Sequence, residues 1–399
     1  MYIRVERKIF LFLRCNFMKH KNNKALRFVL RFVLVALTGL FCIFLGTAKF
    51  PQSDFASDSG EAAGAAPSAS PEISVETPTP EPTPTPEPEF YTLNFLGDCT
   101  LASTVYNKPL AVSYESVVGE NHAFPFEKTV QFFSDDDFTF TNLECVLSSS
   151  TKESTKNFCF RADPSYVNIL KSGSVEFVGL GNNHVLDYGE EGYADTKAVL
   201  DSAGIGYAGR DEWSIYETAR GLKIGVYAAS FENAATIKAG VTAVKAAGAD
   251  FVVAALHWGD EGSYDVNKLQ REQAHAAIDA GADLVYGSHP HVLQELEEYN
   301  GKYIYYSLGN WSFGGNTAPR DPDTIILKVT VMRDVDGSIS VSSREHIPCA
   351  ITGIQGGNNY QPYPYETGSD AYNRALSKID GTFEGSNLSI GYEYTFSEY

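Results

Sequence analysis

The chain has 399 residues, of which 43% are hydrophobic, and this length allows one large globular domain or two small ones. The formal net charge is −19, but residues 1–50 carry +9, residues 51–89 carry −8 and residues 90–399 carry −20. A domain this acidic argues against nucleic acid as a partner, because nucleic-acid binding requires basic faces, whereas acid-rich pockets suit cations.

The first fifty residues have the charge and hydropathy pattern of a membrane-targeting segment. Residues 1–31 carry nine Lys or Arg against one acid, and Phe32–Ala48 is almost wholly apolar. This order predicts a single-pass anchor in the cell membrane, with the basic end in the cytoplasm and the following chain extracellular. Because the apolar run is near the lower length limit for spanning a bilayer, secretion after signal cleavage is the alternative. Met18 is an alternative start.

We predict that residues 51–89 form a disordered stalk. The segment has no Lys or Arg and contains the tract PTPEPTPTPEPE. It buries too little apolar surface to offset the entropy of ordering, and its prolines keep it extended. Residues 90–352 are then the predicted domain, and residues 353–399 are a Tyr- and Gly-rich extension. Cys145 and Cys159 allow two interpretations, a disulfide or reduced buried thiols.

From Phe90 onward, strand patterns alternate with helical patterns, which predicts an α/β domain. The predicted strands are Tyr91–Leu96, Phe138–Asn142, Val175–Leu180, Lys223–Ala228, Phe251–Leu256, Leu284–Tyr286 and Tyr303–Tyr306. The predicted helices are Phe126–Phe133, Tyr166–Lys171, Tyr193–Ala203, Ile237–Ala247 and Asn267–Ala280. Ile325–Met332 and Ser338–Arg344, separated by Asp336-Gly337, predict a late hairpin.

Polar residues of metal-binding type follow most of the predicted strands. They are Asp98, Glu144, Asn183 with His184, His257, and His289 with His291. Because ligands gather beyond the carboxyl ends of strands in open α/β sheets, we expect these side chains to share one site. Imidazoles and carboxylates together suit Zn, Mn or Fe, and their number allows one or two divalent ions.

The motifs FLGD, NLE, GNNHVLDYG, HWGDE, GSHPHVLQ and YYSLGNWSF follow one another in unbroken order within residues 91–352. In this series the chain resembles the CapA-type poly-γ-glutamate capsule biosynthesis proteins, a branch of the calcineurin-like metallophosphoesterase superfamily. The resemblance implies an α/β fold, a four-layer α/β/β/α sandwich with a two-metal site at the sheet ends, carried at the cell surface by an anchor. The partners it implies are an anionic cell-envelope polymer and a polymer-synthase complex in the membrane.

The resemblance also implies a role for each polar residue at the strand ends. It places one metal on Asp98 and His291, a bridging carboxylate at Glu144, and a second metal on Asn183, His257 and His289. His184 would be the general acid, and Asp187, three residues on, would orient it. The superfamily has Asp-x-His where this chain has Asp98 followed by Cys99 and Thr100. The first metal therefore has a thin ligand set, and a mononuclear site is the alternative.

Two residues are predicted to act on the substrate. Arg161 would steer an anionic group, with a surface ion pair as the alternative, and Asn310 would shape the floor of the site. Residues 259–287 contain no long insertion that could form a lid. This predicts an open site that accepts an extended chain.

Three classes of function are consistent with this sequence. The first is a metal hydrolase or transferase in the synthesis, release or attachment of an anionic envelope polymer, with poly-γ-glutamate first by resemblance. The second is a secreted phosphoesterase or nucleotidase that uses the same metals. The third is a non-catalytic export scaffold, which is weakened because every ligand position and His184 are occupied.

Overall fold

The computed structural model describes residues 87–389. The predicted anchor and most of the predicted stalk, residues 1–86, lie outside the described residues, as do residues 390–399. Within the described range, no helix has the length and apolarity needed to cross a membrane.

The larger of two main sheets has eight strands. They are β1 (Glu89–Thr100), β2 (Phe138–Leu143), β5 (Phe177–Gly179), β6 (Gly206–Ala208), β13 (Asn310–Phe313), β14 (Asp323–Arg333), β15 (Ile339–Ala350) and β16 (Tyr363–Pro364). Their order is β16-β15-β14-β1-β2-β5-β6, and β13 pairs with β1. The predicted late hairpin is confirmed as the antiparallel pair β14 and β15.

The smaller sheet has six strands, and a separate pair of short strands lies outside both sheets. The six are β7 (Glu212–Glu217), β8 (Lys223–Ser230), β9 (Phe251–His257), β10 (Leu284–Ser288), β11 (Leu296–Tyr299) and β12 (Lys302–Tyr305), and the separate pair is β3 (Val146–Leu147) and β4 (Arg161–Ala162). The order in the six-stranded sheet is β11-β12-β10-β9-β8-β7. Strands β8, β9, β10 and β12 run parallel, so their carboxyl ends lie at one edge.

Six α-helices are described. They are α1 (Tyr114–Val118), α2 (Val167–Ser172), α3 (Gly189–Ala203), α4 (Ala234–Ala246), α5 (Lys268–Asp279) and α6 (Asp370–Ile379). The predicted helix Phe126–Phe133 is wrong, because two 3₁₀ turns, Phe124–Phe126 and Val130–Phe132, occupy this segment. The Thr129 hydroxyl donates to the Phe126 carbonyl at 3.3 Å, a local bond that competes with α-helical pairing.

Three hydrophobic clusters show that the layers follow the order helix, sheet, sheet, helix. Phe95 and Phe140 of the larger sheet pack with Val253 and Tyr286 of the smaller sheet in the central cluster. The outer face of the larger sheet is covered by α2 and α3, and that of the smaller sheet by α4 and α5. The predicted α/β sandwich is therefore confirmed.

The carboxyl-terminal segment is part of this domain. Helix α6 contacts β14 and β15 and adds Ala375 and Ile379 to the cluster between the sheets. The predicted boundary at residue 352 thus does not separate the core from an extension. Cys145 and Cys159 are buried free thiols in this structure, which corresponds to the second of the two interpretations.

The middle of β1 changes partners, and this change positions the candidate site. Its first half pairs antiparallel with β14, whereas Asp98 pairs in parallel register with Asn310 of β13. A Cβ atom at Gly97 would lie 2.4 Å from the carbonyl oxygen of Gly309, so only glycine permits this approach. Gly97 therefore allows Asp98 to lie against the segment that follows β12.

At the opposite edge of the larger sheet, two carboxyl groups are largely buried. Asp136 accepts hydrogen bonds from the Asn94 amide at 2.7 Å and the Thr139 hydroxyl at 2.6 Å, and Glu176 accepts one from the Thr139 amide at 2.7 Å. Burial raises the pKa of Asp136 to about 6 and that of Glu176 to about 7. Because the folded protein binds these protons more tightly than the unfolded chain, the contribution of these two groups to stability is greatest at low pH and is lost as pH rises through 7.

We predict that Asp136→Asn and Glu176→Gln flatten the loss of stability between about pH 4.5 and pH 7. The amides keep the acceptor oxygens but do not ionise. Each substitution should reduce the change in the free energy of unfolding by about 1 kcal/mol, since one pKa unit is roughly 1.4 kcal/mol and the groups are partly exposed. Urea unfolding midpoints at pH 5 and pH 8 measure it. The exposed neighbour Asp135→Asn is the control; equal pH dependence in all variants would contradict the prediction.

Candidate metal centre

The carboxyl ends of strands from both main sheets meet at one edge and bring the predicted ligands together. Asp98 lies near the end of β1, Glu144 follows β2, Asn183 follows β5, His257 ends β9, and His289 and His291 follow β10. Strand pairing explains the convergence, since His257 is paired with Ser288 and Asp98 with Asn310. The predicted clustering of these side chains is therefore what the structure shows.

Glu144, His289 and His291 form the centre of this cluster. Each offers one ligand atom, and these atoms lie within 4.8 Å of one another. Both carboxylate oxygens of Glu144 and Nδ1 of His289 are buried without a hydrogen-bond partner. Unpaired buried polar atoms are costly, so several at one point fit a divalent cation, which prefers this donor set.

Electrostatics at Glu144 and His289 agree with that interpretation. Burial raises the pKa of Glu144 well above its usual value, and the nearby Asp98 adds to the rise, although His291 opposes it. Burial also lowers the pKa of His289 well below its usual value. A cation here would stabilise the Glu144 carboxylate, and a neutral imidazole is the form that binds metals.

His257 and Asn183 lie beside Glu144. Nε2 of His257 lies 2.9 Å from Oδ1 of Asn183 and 3.4 Å from Oε1 of Glu144, while its Nδ1 lies 2.9 Å from the Ser288 hydroxyl. Burial, followed by the neighbouring His289, lowers the pKa of His257, so this ring is also neutral. Its Ser288 contact fixes the ring orientation, as outer contacts of metal-binding histidines commonly do.

His291 lies on the other side, between two carboxylates. Its Nδ1 is 2.8 Å from Oδ1 of Asn310, 3.4 Å from Asp98 and 4.0 Å from Glu144. Burial alone would lower the pKa of His291, but Glu144 and Asp98 outweigh it and raise the pKa to about 10. The two acids therefore favour the protonated form of His291, which would have to release its proton to bind a metal.

The segment that carries the two histidines is held in an unusual backbone conformation. His289 has φ 95° and His291 has φ 57°, values that side-chain-bearing residues seldom adopt. A Cβ atom at Gly287 would lie 2.0 Å from the Tyr306 carbonyl oxygen, so glycine allows β10 to approach the chain after β12. Strain of this kind persists only where the surroundings fix the backbone, as commonly found at functional sites.

Two asparagine amides linked by hydrogen bonds support Asp98, and this support was not predicted from the sequence. Nδ2 of Asn182 donates to Oδ1 of Asn142 at 2.9 Å, and Nδ2 of Asn142 donates to Oδ1 of Asp98 at 2.9 Å. The other carboxylate oxygen accepts the backbone N–H of His289 at 3.2 Å. The signal in the sequence was the pair of asparagines at the ends of β2 and β5, which are adjacent strands.

His184 and Asp187 form a buried pair. Nδ1 of His184 lies 2.7 Å from Oδ2 of Asp187, and this oxygen also accepts the Phe160 backbone N–H at 2.7 Å. The Lys156 ammonium lies 3.4 Å from the second oxygen of Asp187 and donates to the Asn183 carbonyl. Because Nδ1 is committed to Asp187, Nε2 of His184 is the nitrogen available to a ligand.

A cleft of about 150 Å³ opens next to these residues. His184, His291 and Asn310 line it together with Glu261, Arg320 and other residues. The prediction of an open site considered residues 259–287 alone, whereas residues 313–321 and Leu388 also contribute walls. Segments distant in sequence from residues 259–287 therefore also bound the cleft, and the openness of the site stays a prediction.

The two predicted substrate residues differ in their placement. Arg161 is outside the cleft lining; its guanidinium lies 5.2 Å from the centre of the Tyr188 ring and donates to the Ser148 carbonyl at 3.4 Å. Asn310 lines the cleft, but its amide donates to the His291 carbonyl at 3.2 Å while its oxygen contacts the His291 ring. These contacts position His291, so Asn310 is placed as a support of the centre.

Cys99, the residue between Asp98 and Thr100, does not join the cluster. Its side chain is buried in the hydrophobic cluster beneath α2 and α3. Burial raises the pKa of Cys99 to about 12, so the thiol stays protonated. A protonated thiol is a poor metal ligand, so Cys99 adds no ligand beside Asp98.

Comparison with known proteins shows to which protein family the chain is related. The profile of the family "Bacterial capsule synthesis protein PGA_cap" matches residues 92–314, more than half of the chain. The PGA biosynthesis protein CapA of Bacillus subtilis is 33% identical over 222 residues, covering 49% of this chain and 58% of that protein. The capsule biosynthesis protein CapA of Bacillus anthracis is 27% identical over 291 residues, covering 63% of this chain and 69% of that protein.

Among solved structures, the NAD nucleotidase of Haemophilus influenzae aligns over 74% of this chain and 63% of that chain. Its TM-score is 0.38 and its identity is 12%, values too low to carry an argument. The chain spans a little more than half of the length of the Bacillus subtilis relative. The sequence profile and the identities to the two capsule proteins establish that this chain belongs to the bacterial capsule synthesis protein family PGA_cap.

Proposed function

We propose that this chain is a metal-dependent hydrolase or transferase that acts on an anionic cell-envelope polymer, with poly-γ-glutamate as the first candidate. The observation that carries the proposal is the set of unpartnered donors on Glu144 and His289, beside His291, at the edge where both sheets end. Family membership supports the polymer, since the two relatives are described as acting in PGA and capsule biosynthesis.

The residues present fit one or two divalent ions. Glu144, His289 and His291 would provide the first ligands, and Asp98, His257 and Asn183 would complete the ligand set. When bound, such ions supply Lewis acidity and acidify a water molecule. Zn, Mn and Fe all suit imidazole with carboxylate, so the donor set favours this group of metals without choosing among them.

The role proposed for His184 follows from its own contacts. Asp187 holds Nδ1 and stabilises the ring when it is protonated, so Nε2 can give a proton to the leaving oxygen or nitrogen as the scissile bond breaks. Lys156 contacts Asp187 and the Asn183 carbonyl, and so ties the general acid to a proposed metal-binding residue. A purely structural role would not require His184 to line a cleft.

We also propose that the domain works outside the cell membrane, tethered by about residues 29–48, next to a polymer-synthase complex. The basic start, apolar run and acidic Pro-rich stalk of the sequence support this. External protease added to intact cells should cut within residues 51–89 and release a fragment that starts near Phe90. Recovery of the whole protein in the cytosolic fraction would refute the proposal.

We predict that Glu144→Gln and His289→Ala each lower the metal content of the purified chain by more than half, because each removes a donor from the shared position. Elemental analysis after dialysis measures this directly. His275→Ala is the matched control, since His275 lies at the surface and pairs with Glu297 at 2.7 Å. Unchanged metal in both site variants would rule out the proposed centre.

His184→Asn and Asp187→Asn should behave differently. Neither residue is a proposed ligand, so metal content should stay at the wild-type level while turnover falls by about 10² to 10⁴, the usual contribution of a general acid. Loss of metal in His184→Asn would instead make this residue a ligand. Retained turnover in both variants would remove the proposed acid.

We expect binding and cleavage of poly-γ-glutamate to require metal, because the acidic domain offers little other positive charge. Chelator should abolish both, and raised salt should weaken binding. The comparison substrates are phosphomonoesters and mononucleotides. Efficient turnover of these, without any metal-dependent response to γ-glutamyl polymers, would make the phosphoesterase alternative the correct one.

A further inference from the structure

One wall of the cleft is built from residues that follow the region matched by the family profile. Residues 315, 316 and 319–321 line the cleft together with Leu388, whereas the profile ends at residue 314. His184 and His291 line the same cleft. A ligand that binds in this cleft beside the metal centre would therefore contact this wall. The wall lies outside the part of the chain that the family profile matches.

Arg320 is the cation on this wall whose charge is available. Its side chain is exposed, and it forms no ion pair with any other residue in the range 87–389. The adjacent Asp321 also lines the cleft but does not neutralise the charge of Arg320. Oδ2 of Asp321 accepts the Lys378 ammonium at 2.6 Å and the Tyr264 hydroxyl at 2.9 Å, and Oδ1 accepts the Asp323 N–H at 3.0 Å.

A buried ion cluster fixes the backbone next to Arg320. Lys378 of α6 is 4% exposed and contacts Asp323 at 2.8 Å as well as Asp321. Arg374 makes two hydrogen bonds to Asp323, at 2.8 and 2.7 Å. Breaking a buried ion pair leaves an uncompensated charge, so this cluster holds residues 321–323 firmly against α6.

The same wall is tied to the metal-binding segment. The Leu388 N–H donates to the Gly262 carbonyl at 2.9 Å, and the Gly262 N–H donates to the carbonyl of Pro290 at 2.8 Å. Pro290 lies between His289 and His291. Because the Tyr264 hydroxyl donates to Asp321, the segment that carries Arg320 contacts the same loop as Gly262.

We propose that Arg320 is an anion subsite that binds a carboxylate of the substrate at a distance from the bond that reacts. This inference rests on the proposed function and specifies the substrate as a polyanion with repeated carboxylates. A guanidinium matches a carboxylate with two parallel hydrogen bonds, and a γ-glutamyl chain presents one carboxylate per unit.

Titration calorimetry on the full chain, in detergent and loaded with metal, tests the subsite with γ-linked triglutamate and inorganic phosphate as probes. Arg320→Gln should weaken triglutamate binding about tenfold and change phosphate binding less than twofold, because phosphate reaches only the metal centre. Arg320→Lys should restore part of the affinity. Arg210→Gln is the matched control, an exposed arginine paired with Glu190 at 2.8 Å.

The outcomes separate this inference from the proposed function. Unchanged triglutamate affinity in Arg320→Gln, or an equal loss for both probes, would overturn the subsite while leaving the metal centre intact. A loss confined to adenosine diphosphate, used as a third probe, would assign the subsite to phosphate and overturn the carboxylate. Triglutamate binding that depends on Arg320 but persists in chelator would uphold the subsite and refute metal-dependent recognition.

Discussion

The structure depends on burying two carboxylates and several imidazoles at the edge where its two main sheets end together. Glu144 is 1% exposed and its oxygens have no hydrogen-bond partner, while Asp98 is fully buried. Burying such groups in a hydrophobic interior costs free energy unless a nearby opposite charge compensates them. A divalent ion held by Glu144 and His291 would supply that charge, with the imidazole in its neutral form. The sandwich around the edge keeps these groups from relaxing apart.

That constraint explains the local features of the site. Gly97 and Gly287 allow two backbones to approach at the strand ends, where a Cβ atom would meet a carbonyl oxygen. The positive φ angles of His289 and His291 turn both rings toward Glu144, and the asparagine pair Asn142 and Asn182 holds Asp98 in place. The positive φ angles cost stability locally, and together these features fix the position of the metal-binding atoms.

The charge of the domain and its proposed substrate have the same sign. An acidic protein binds a polyanion where positive charge is concentrated, so in our proposal the metal centre and Arg320 are the points of recognition. The ion cluster of Lys378 with Asp321 and Asp323 serves the same end, because it neutralises acids that would otherwise oppose an anion in the cleft. Under this proposal, recognition and catalysis would use the same edge of the sandwich.

The sequence by itself determined the α/β class, most strands, and the residues that converge at Glu144, because strand periodicity and polar strand ends are local signals. It did not determine that Arg161 stacks on Tyr188 while Arg320 lines the cleft, nor that Asn310 supports His291. It also left Lys378 without a role. These outcomes depend on contacts between segments far apart in the chain, such as α6 with residues 321–323, and only tertiary packing brings such segments together.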